Sequence, residues 1–443
     1  MNSRARDVRS RLAGCTLLLT LYGCPSEPTH EPRPDILLIY VDDLGFGDVG
    51  YQGSDIRTPA IDALARTGMI LSRFYASPMC TPSRAQLMTG RHAAHFGLHA
   101  NVNIGEGFGL PETAVTLPEL LQAEGYATHL IGKWHLGHRE AEHHPLRHGF
   151  DHFYGHLGGW IDYMTHEREG RLDWERDGQA VVEQGYATDL LADEAVRVIE
   201  QQTGSGEPLF IELAFNAPHT PLHHAPTATK KVPSQTVERT MYRGMVEHLD
   251  AAVDRVLSAL ENSGRRESCM VVFASDNGGS LTYGADNGVL ARGKFATQEG
   301  GIRVPAIVSW PGRVASGTTS EQVVTNLDLL PTLASAAGVS QDAMPAELDG
   351  RDVLGEWCSG ASVEREDLYF AIRQRRHIRS ALLSGSLKLN REVNPDGEVR
   401  ETLFDVFADP AESKQLNAER GAELSELRAQ LDAFEAAVAP GGL

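Results

Sequence analysis

One cysteine, Cys80, is followed by Thr81-Pro82-Ser83-Arg84 and then by Ala85-Gln86-Leu87-Met88-Thr89-Gly90-Arg91. A polar, Pro-punctuated loop runs here into a helical pattern, which places the thiol just ahead of a helix N-terminus. Free N–H groups and the positive end of the helix dipole favour an anion there. Taken alone, a single cysteine reads first as a small buried hydrophobe. Two further pairs, Asp42-Asp43 and Asp276-Asn277, stand before Leu44-Gly45 and Gly278-Gly279. Each pair by itself is ordinary turn chemistry. Together they offer three carboxylates and an amide carbonyl, hard oxygen donors that suit Ca2+ or Mg2+. No EF-hand loop and no His/Cys zinc spacing competes. Lys133 and His135 in Gly132-Lys133-Trp134-His135, His219 in Ala217-Pro218-His219, and Lys294 in Gly293-Lys294-Phe295 add cations and imidazoles. Singly, each also reads as a surface charge or a satisfied loop histidine.

The elements that must position these groups alternate. Apolar, strand-like runs at residues 36–41, 126–131, 209–215 and 269–274 are separated by helical patterns at 59–66, 116–124 and 236–263. This alternation predicts an α/β fold on a mainly parallel sheet. The continuous apolar run at 36–41 is the kind buried on both faces. The polar groups fall at strand C-terminal ends, where open α/β sheets place their ligand crevice. From about residue 360 the texture shifts to short antiparallel strands at 368–372, 380–383 and 387–390, a segment at 403–406, and a final helix from 422 to about 437.

The chain has 443 residues, 41% hydrophobic and 23% charged, enough for a substantial core. A net charge of −20 and the lack of a basic stripe argue against a nucleic-acid partner. Arg4, Arg6, Arg9 and Arg11 precede an apolar run from Leu12 to Tyr22, too short to span a bilayer. That predicts a signal peptide over 1–23 and export from a bacterial cytoplasm. Leu21-Tyr22-Gly23-Cys24 resembles a lipobox, which would put lipid on Cys24, although Tyr22 is larger than usual there. A simply cleaved signal is the alternative. Residues 24–34, rich in Pro, Glu and Ser, read as a tether. Of five cysteines, Cys269 and Cys358 would remain for pairing, but Cys269 lies in an apolar run typical of an inert thiol. No Asn-x-Ser/Thr acceptor occurs, in keeping with a bacterial source.

The twelve residues from Cys80 to Arg91 resemble the signature of the type I sulfatases, whose cysteine is oxidised to formylglycine. The segments around Asp42, Lys133, His219, Asp276 and Lys294 resemble that family's motifs in the family's order. The resemblance spans about residues 35–338 and again 403–417. It is closest to the arylsulfatase B, or N-acetylgalactosamine-4-sulfatase-like, branch, through Arg147-His148-Gly149-Phe150-Asp151, Tyr154-Gly155, Asp162-Tyr163 and His166-Glu167. It implies an alkaline-phosphatase-like fold, with a catalytic domain over 35–359 and a small antiparallel C-terminal subdomain over 360–443. It also implies one Ca2+ held by Asp42, Asp43, Asp276, Asn277 and the formylglycine at position 80. The partners implied are a formylglycine-generating maturation enzyme and a sulfated small molecule or saccharide.

A sulfate monoester is a poor electrophile until its oxygens are neutralised, work that the cation, Lys133, Lys294 and Arg84 would share. By resemblance, Arg84 holds the formylglycine and the two lysines bind sulfate. One hydroxyl of the hydrated aldehyde attacks sulfur, with Asp42 or Asp43 as base. The other loses its proton towards His135, so that sulfate leaves by elimination, and His219 protonates the departing alcohol. Trp160, Asp162, Tyr163 and His166 are candidates for substrate selectivity, or equally a packed loop over the sheet. Two rivals remain: a phosphonate or phosphate ester hydrolase of the same superfamily, and a non-catalytic glycan-binding surface lipoprotein if Cys80 stays a thiol.

Overall fold

Alternation along the strands divides the core in two. Ile36, Leu38 and Tyr40 enter one apolar cluster, while Leu37, Ile39 and Val41 enter another across the sheet. This is the period of two expected of a strand covered on both faces. The computed structural model describes residues 33–103, 105–226, 235–365 and 367–438. The signal-peptide and lipobox expectations, including Cys24, lie outside the described residues.

The main sheet is mixed and eleven-stranded, and its centre is parallel. Asp35–Val41 pairs in parallel with Cys269–Ser275 on one side and Leu209–Phe215 on the other. Leu209–Phe215 pairs with Ala127–Lys133, which pairs with His152–His156, all parallel. Antiparallel pairing enters where Ala306–Ser309 joins Cys269–Ser275 to Met69–Tyr75. The helices Cys80–Thr89, Leu117–Ala123 and Leu329–Ala336 cover one face. Pro59–Thr67, Ala187–Gln201 and Val237–Asn262 cover the other.

Local chemistry fixes several ends. Thr116 and Glu119 form a reciprocal capping box at Leu117–Ala123, with Pro118 in the first turn. Thr236 accepts from Arg239 N at the start of Val237–Asn262. Gly90, at φ 64°, closes the Cys80 helix by donating its N–H to the Gln86 carbonyl at 2.8 Å. A side chain at Gly132 would sit 1.9 Å from the Ala214 carbonyl, so glycine there lets the two strands approach next to Lys133.

The C-terminal portion is a four-stranded antiparallel sheet: Leu368–Gln374, His377–Ser384, Leu387–Val393 and Val399–Asp405. Helix Gly421–Val438 packs on one face through Leu427 and Leu431. The opposite face meets Tyr75 and Ile302 of the main body through Phe370, Leu383 and Phe404. From Arg33 onward the chain forms one compact unit. Cys269 is a buried free thiol and Cys358 an exposed one, so the two are not bonded to each other.

Candidate active site

The strand ends bring the chemistry together. Asp42 and Asp43 follow Asp35–Val41, Lys133 ends Ala127–Lys133, and Asp276-Asn277 follow Cys269–Ser275. Cys80 opens its helix opposite them, and the Asn101 Oδ1 accepts from the Thr81 N–H of its first turn at 3.1 Å. Ligand atoms of Asp42, Asp43, Cys80 and His219 all lie within 4.8 Å of one another. Two of the residues involved, Asp43 (φ 66°) and His135 (φ 59°), hold the left-handed backbone region, which Asp and His enter more readily than most non-glycine residues.

Each buried charge at these strand ends has a partner. Lys133 Nζ meets Asp42 Oδ2 at 2.6 Å, both fully buried. Lys294 Nζ meets Asp43 Oδ1 at 2.6 Å and Cys80 Sγ at 3.3 Å. Arg84 donates to Asp276 Oδ2 at 3.0 Å and to the Lys133 carbonyl at 3.0 Å. Asp276 Oδ1 accepts from the Asp43 N–H at 3.3 Å. Asn277 Nδ2 donates to Asp43 Oδ1 at 2.7 Å, and its own Oδ1 is buried with no protein partner among the described residues. An unpartnered amide oxygen beside three carboxylates fits a hard cation better than it fits a closed protein network.

Burial sets the protonation states, and neighbouring charges adjust them. Burial, then Asp276 and Asp42, pushes the Cys80 thiol far above its ordinary value, so an unmodified Cys80 is a neutral and weak nucleophile. Burial would also raise Asp42, but Lys133 and the other cations prevail and hold it well below the usual carboxylate range. Asp276 is raised by burial and by Asp42. His135 is driven well down by burial and Lys133. Its Nε2 contacts the Val102 carbonyl at 3.3 Å, while Nδ1 is buried and unpartnered. The tautomer this implies carries the proton on Nε2 and leaves Nδ1 free to accept one. Burial also lowers His219. Its Nδ1 contacts the Thr220 carbonyl at 2.6 Å, which leaves Nε2 facing Asp43 Oδ2 at 3.7 Å.

The four residues read as selectivity candidates divide. Trp160 and Asp162 are half-buried, whereas Tyr163 and His166 are fully buried and bonded within the protein. Tyr163 donates to the main-chain carbonyls of Asn216 and His219. His166 stacks on Trp174 and contacts the Gly185 carbonyl. Asp162 caps the turn at Met164 and Thr165, and its other oxygen pairs with His223 Nε2 at 3.1 Å. Sequence reasoning missed His223, as well as Thr81, whose hydroxyl ties the His135 carbonyl to the Val102 N–H.

Residues 34–339 match the family described as Sulfatase, and residues 293–436 match the N-sulphoglucosamine sulphohydrolase C-terminal family. Mouse N-acetylgalactosamine-6-sulfatase is 34% identical over 81% of this chain and 74% of its own length. Mouse arylsulfatase J is 35% identical over 76% of this chain and 58% of its own. These relatives do not single out an arylsulfatase B-like branch. The solved structure of Ps i-CgsB in complex with k-i-k-neocarrahexaose superposes with a TM-score of 0.84 at 34% identity, covering 91% of this chain and 92% of that one. The structure of PsFucS1 sulfatase from Pseudoalteromonas sp. gives 0.76 at 25% identity, covering 91% and 90%. With the family match spanning well over half the sequence and a relative above 30% identity across most of it, the chain belongs to the sulfatase family and is a sulfuric ester hydrolase on the alkaline-phosphatase-like fold.

Proposed function

We propose that this sulfatase releases sulfate from a sulfated saccharide, using formylglycine made from Cys80 and one divalent cation, with Ca2+ suited to the donor set. The observation that carries this reading is the convergence of Asp42, Asp43, Cys80 and His219 ligand atoms within 4.8 Å, flanked by Lys133 and Lys294. Asp42, Asp43, Asp276 and Asn277 Oδ1 would hold the cation, which when bound neutralises sulfate oxygens. Formylglycine supplies a hydrated aldehyde hydroxyl as nucleophile, where a buried neutral thiol supplies none. The saccharide assignment draws support from a relative named as an N-acetylgalactosamine-6-sulfatase and a structural neighbour holding neocarrahexaose.

This chain's residues do the rest. Lys133, held on Asp42, and Lys294, held on Asp43 beside position 80, bind sulfate oxygens. Arg84, fixed by Asp276 and the Lys133 carbonyl, orients the group at position 80. Asp42 Oδ1, 3.4 Å from Sγ, takes the proton of the attacking hydroxyl. His219, in its imidazolium form with the Nδ1–H held by the Thr220 carbonyl, gives its Nε2 proton to the departing alcohol oxygen, and His135 Nδ1 accepts the one shed on sulfate release. The N-terminal basic and apolar segment would export the chain from a bacterial cytoplasm and, through Cys24, tether it to a membrane. Among the described residues no helix is long and apolar enough to cross one.

The test is sulfate release from a panel of sulfated mono- and oligosaccharides by protein co-produced with a formylglycine-generating enzyme, with matched phosphate esters alongside. Sulfate release that requires Cys80, with formylglycine found at position 80 by mass spectrometry, is expected. Faster phosphate release, or activity with an unmodified thiol, overturns the reading.

A further inference from the structure

Beside the catalytic residues lies a cavity of about 490 Å³ whose charge runs against that of the chain as a whole. Arg139, Arg168, Arg171 and His138 line it, together with Leu157 and Asp173. It shares a wall with the active site: the His135 N–H donates to the Leu157 carbonyl at 3.1 Å, and His138 follows three residues later. Arg139 donates to the Gly105 carbonyl at 3.1 Å, at the far end of the loop whose Val102 carbonyl contacts His135.

Arg139 pairs with Glu140 at 3.4 Å, but the other cations here are under-compensated. Arg168 and Arg171 are direct cross-strand partners in a hairpin, an arrangement in which like charges repel. Arg168 is 7% exposed, yet its guanidinium makes no hydrogen bond among the described residues and approaches a carboxylate, Asp173, only at 3.7 Å. Asp173 is already committed to the N–H groups of Leu157 and Gly158 at 2.9 Å. The lining carboxylate Glu175 is taken by His144 at 2.6 Å. Arg171 is exposed and without a partner among the described residues, and both ring nitrogens of His138 are buried and unpartnered. Buried imidazole nitrogens left without partners cost stability unless a ligand satisfies them, and guanidinium groups without carboxylates of their own are free to take an anion.

We propose that this cavity is a second anion subsite, which binds a sulfate or carboxylate on a sugar unit next to the one being desulfated. Paired guanidinium forks suit either oxyanion, and a remote charged contact raises discrimination for longer substrates. The inference rests on the saccharide reading above.

The test is binding rather than turnover. Full-length Cys80→Ala protein, with and without Arg139→Ala and Arg171→Ala, both on exposed positions, is titrated calorimetrically with three tetrasaccharides: heparin-derived, hyaluronan and neutral chitotetraose. The arginine changes are expected to weaken heparin tetrasaccharide binding about tenfold relative to chitotetraose. An equal loss for hyaluronan would support the subsite and identify a carboxylate as the anion. Unchanged affinity for both charged chains overturns the proposal. Arginine-dependent binding by a protein that releases no sulfate from any ester would retain the subsite while removing the proposed reaction.

Discussion

Lys294 bridges Cys80 and Asp43, with its Nζ 3.3 Å from the thiol sulfur and 2.6 Å from Asp43 Oδ1. Its side chain is 4% exposed, and the Asp43 carboxylate and other surrounding anions overcome burial to hold its ammonium above the ordinary value. A fixed charge beside the proposed nucleophile position is there before substrate arrives, which is how electrostatic stabilisation avoids reorganisation. Lys294→Met should therefore lower kcat by about 10²–10³-fold on an aryl sulfate, with far-UV circular dichroism unchanged. Turnover within a factor of two of the parent would remove Lys294 from sulfate binding.

Asn277 offers the cleanest probe of cation binding, because its Oδ1 has no protein partner while its Nδ2 is bonded to Asp43. Added Ca2+ should raise the melting temperature, and a chelator should reverse the rise. At a hundredfold excess over Kd the gain is about 2.7 kcal/mol. Asn277→Ala should weaken the Ca2+ response in differential scanning fluorimetry. An identical response in the variant would place the ion elsewhere.

Much of this site was readable because its residues sit at strand ends, and the strands announce themselves. The run at 36–41 is apolar throughout since alternate residues enter separate cores. Met69–Tyr75 was not readable as a strand: Ser72 and Arg73 interrupt its apolar run. Both are satisfied by carbonyls of Thr318–Thr325, at Ser320 and Glu321, and that partner strand is itself polar. The sequence showed Tyr163 as an aromatic near the site, but not that its ring is buried and its hydroxyl points back at the main chain of His219. Such facts depend on how segments far apart in sequence meet, and no local pattern encodes them.

Tyr163 holds the backbone at His219, the proposed general acid, by donating to the Asn216 and His219 carbonyls at 2.7 and 2.8 Å. Its ring also stacks on Tyr186 at 5.1 Å. Tyr163→Phe keeps the ring and removes only the donor. The expected cost is about 1–2 kcal/mol of stability, seen in urea unfolding. A fall in kcat with little change in KM is expected if the hydroxyl positions His219, while a purely structural role would leave kcat alone.

Glu212, buried in the central strand, has its carboxyl pushed up to about 7 by burial, against the pull of Arg84. The folded state therefore keeps a proton that the unfolded chain has lost, from the ordinary glutamate range near pH 4.5 up to about pH 7. Stability contributed by this group is full below that range and falls as pH rises through it, by about 3 kcal/mol in total. Glu212→Gln should flatten that slope and be more stable than the parent at pH 8. Denaturant midpoints between pH 4.5 and 8 check it, and parallel curves for the two proteins would sink the assignment.

Lys388 carries the C-terminal sheet into the catalytic body. Its Nζ, fully buried, meets Glu299 Oε1 at 2.6 Å and Glu412 Oε1 at 3.3 Å. Glu299 also accepts from the Tyr75 hydroxyl at 2.9 Å, and its N–H donates to Glu412 at 2.8 Å. The helix Glu299–Ile302 that begins there lies five residues after Lys294. Removing the ammonium leaves two carboxylates buried with too few donors, which is far costlier than losing a surface pair. Lys388→Met should thus destabilise by about 3–5 kcal/mol. Because Glu299 closes the segment that bears Lys294, the loss should also raise KM for sulfate esters at temperatures where the variant is still folded. A double change with Glu299→Gln should recover part of the stability, since it removes one of the stranded charges. Failure of that rescue would mean that Lys388 acts through packing of its stem rather than through its charge.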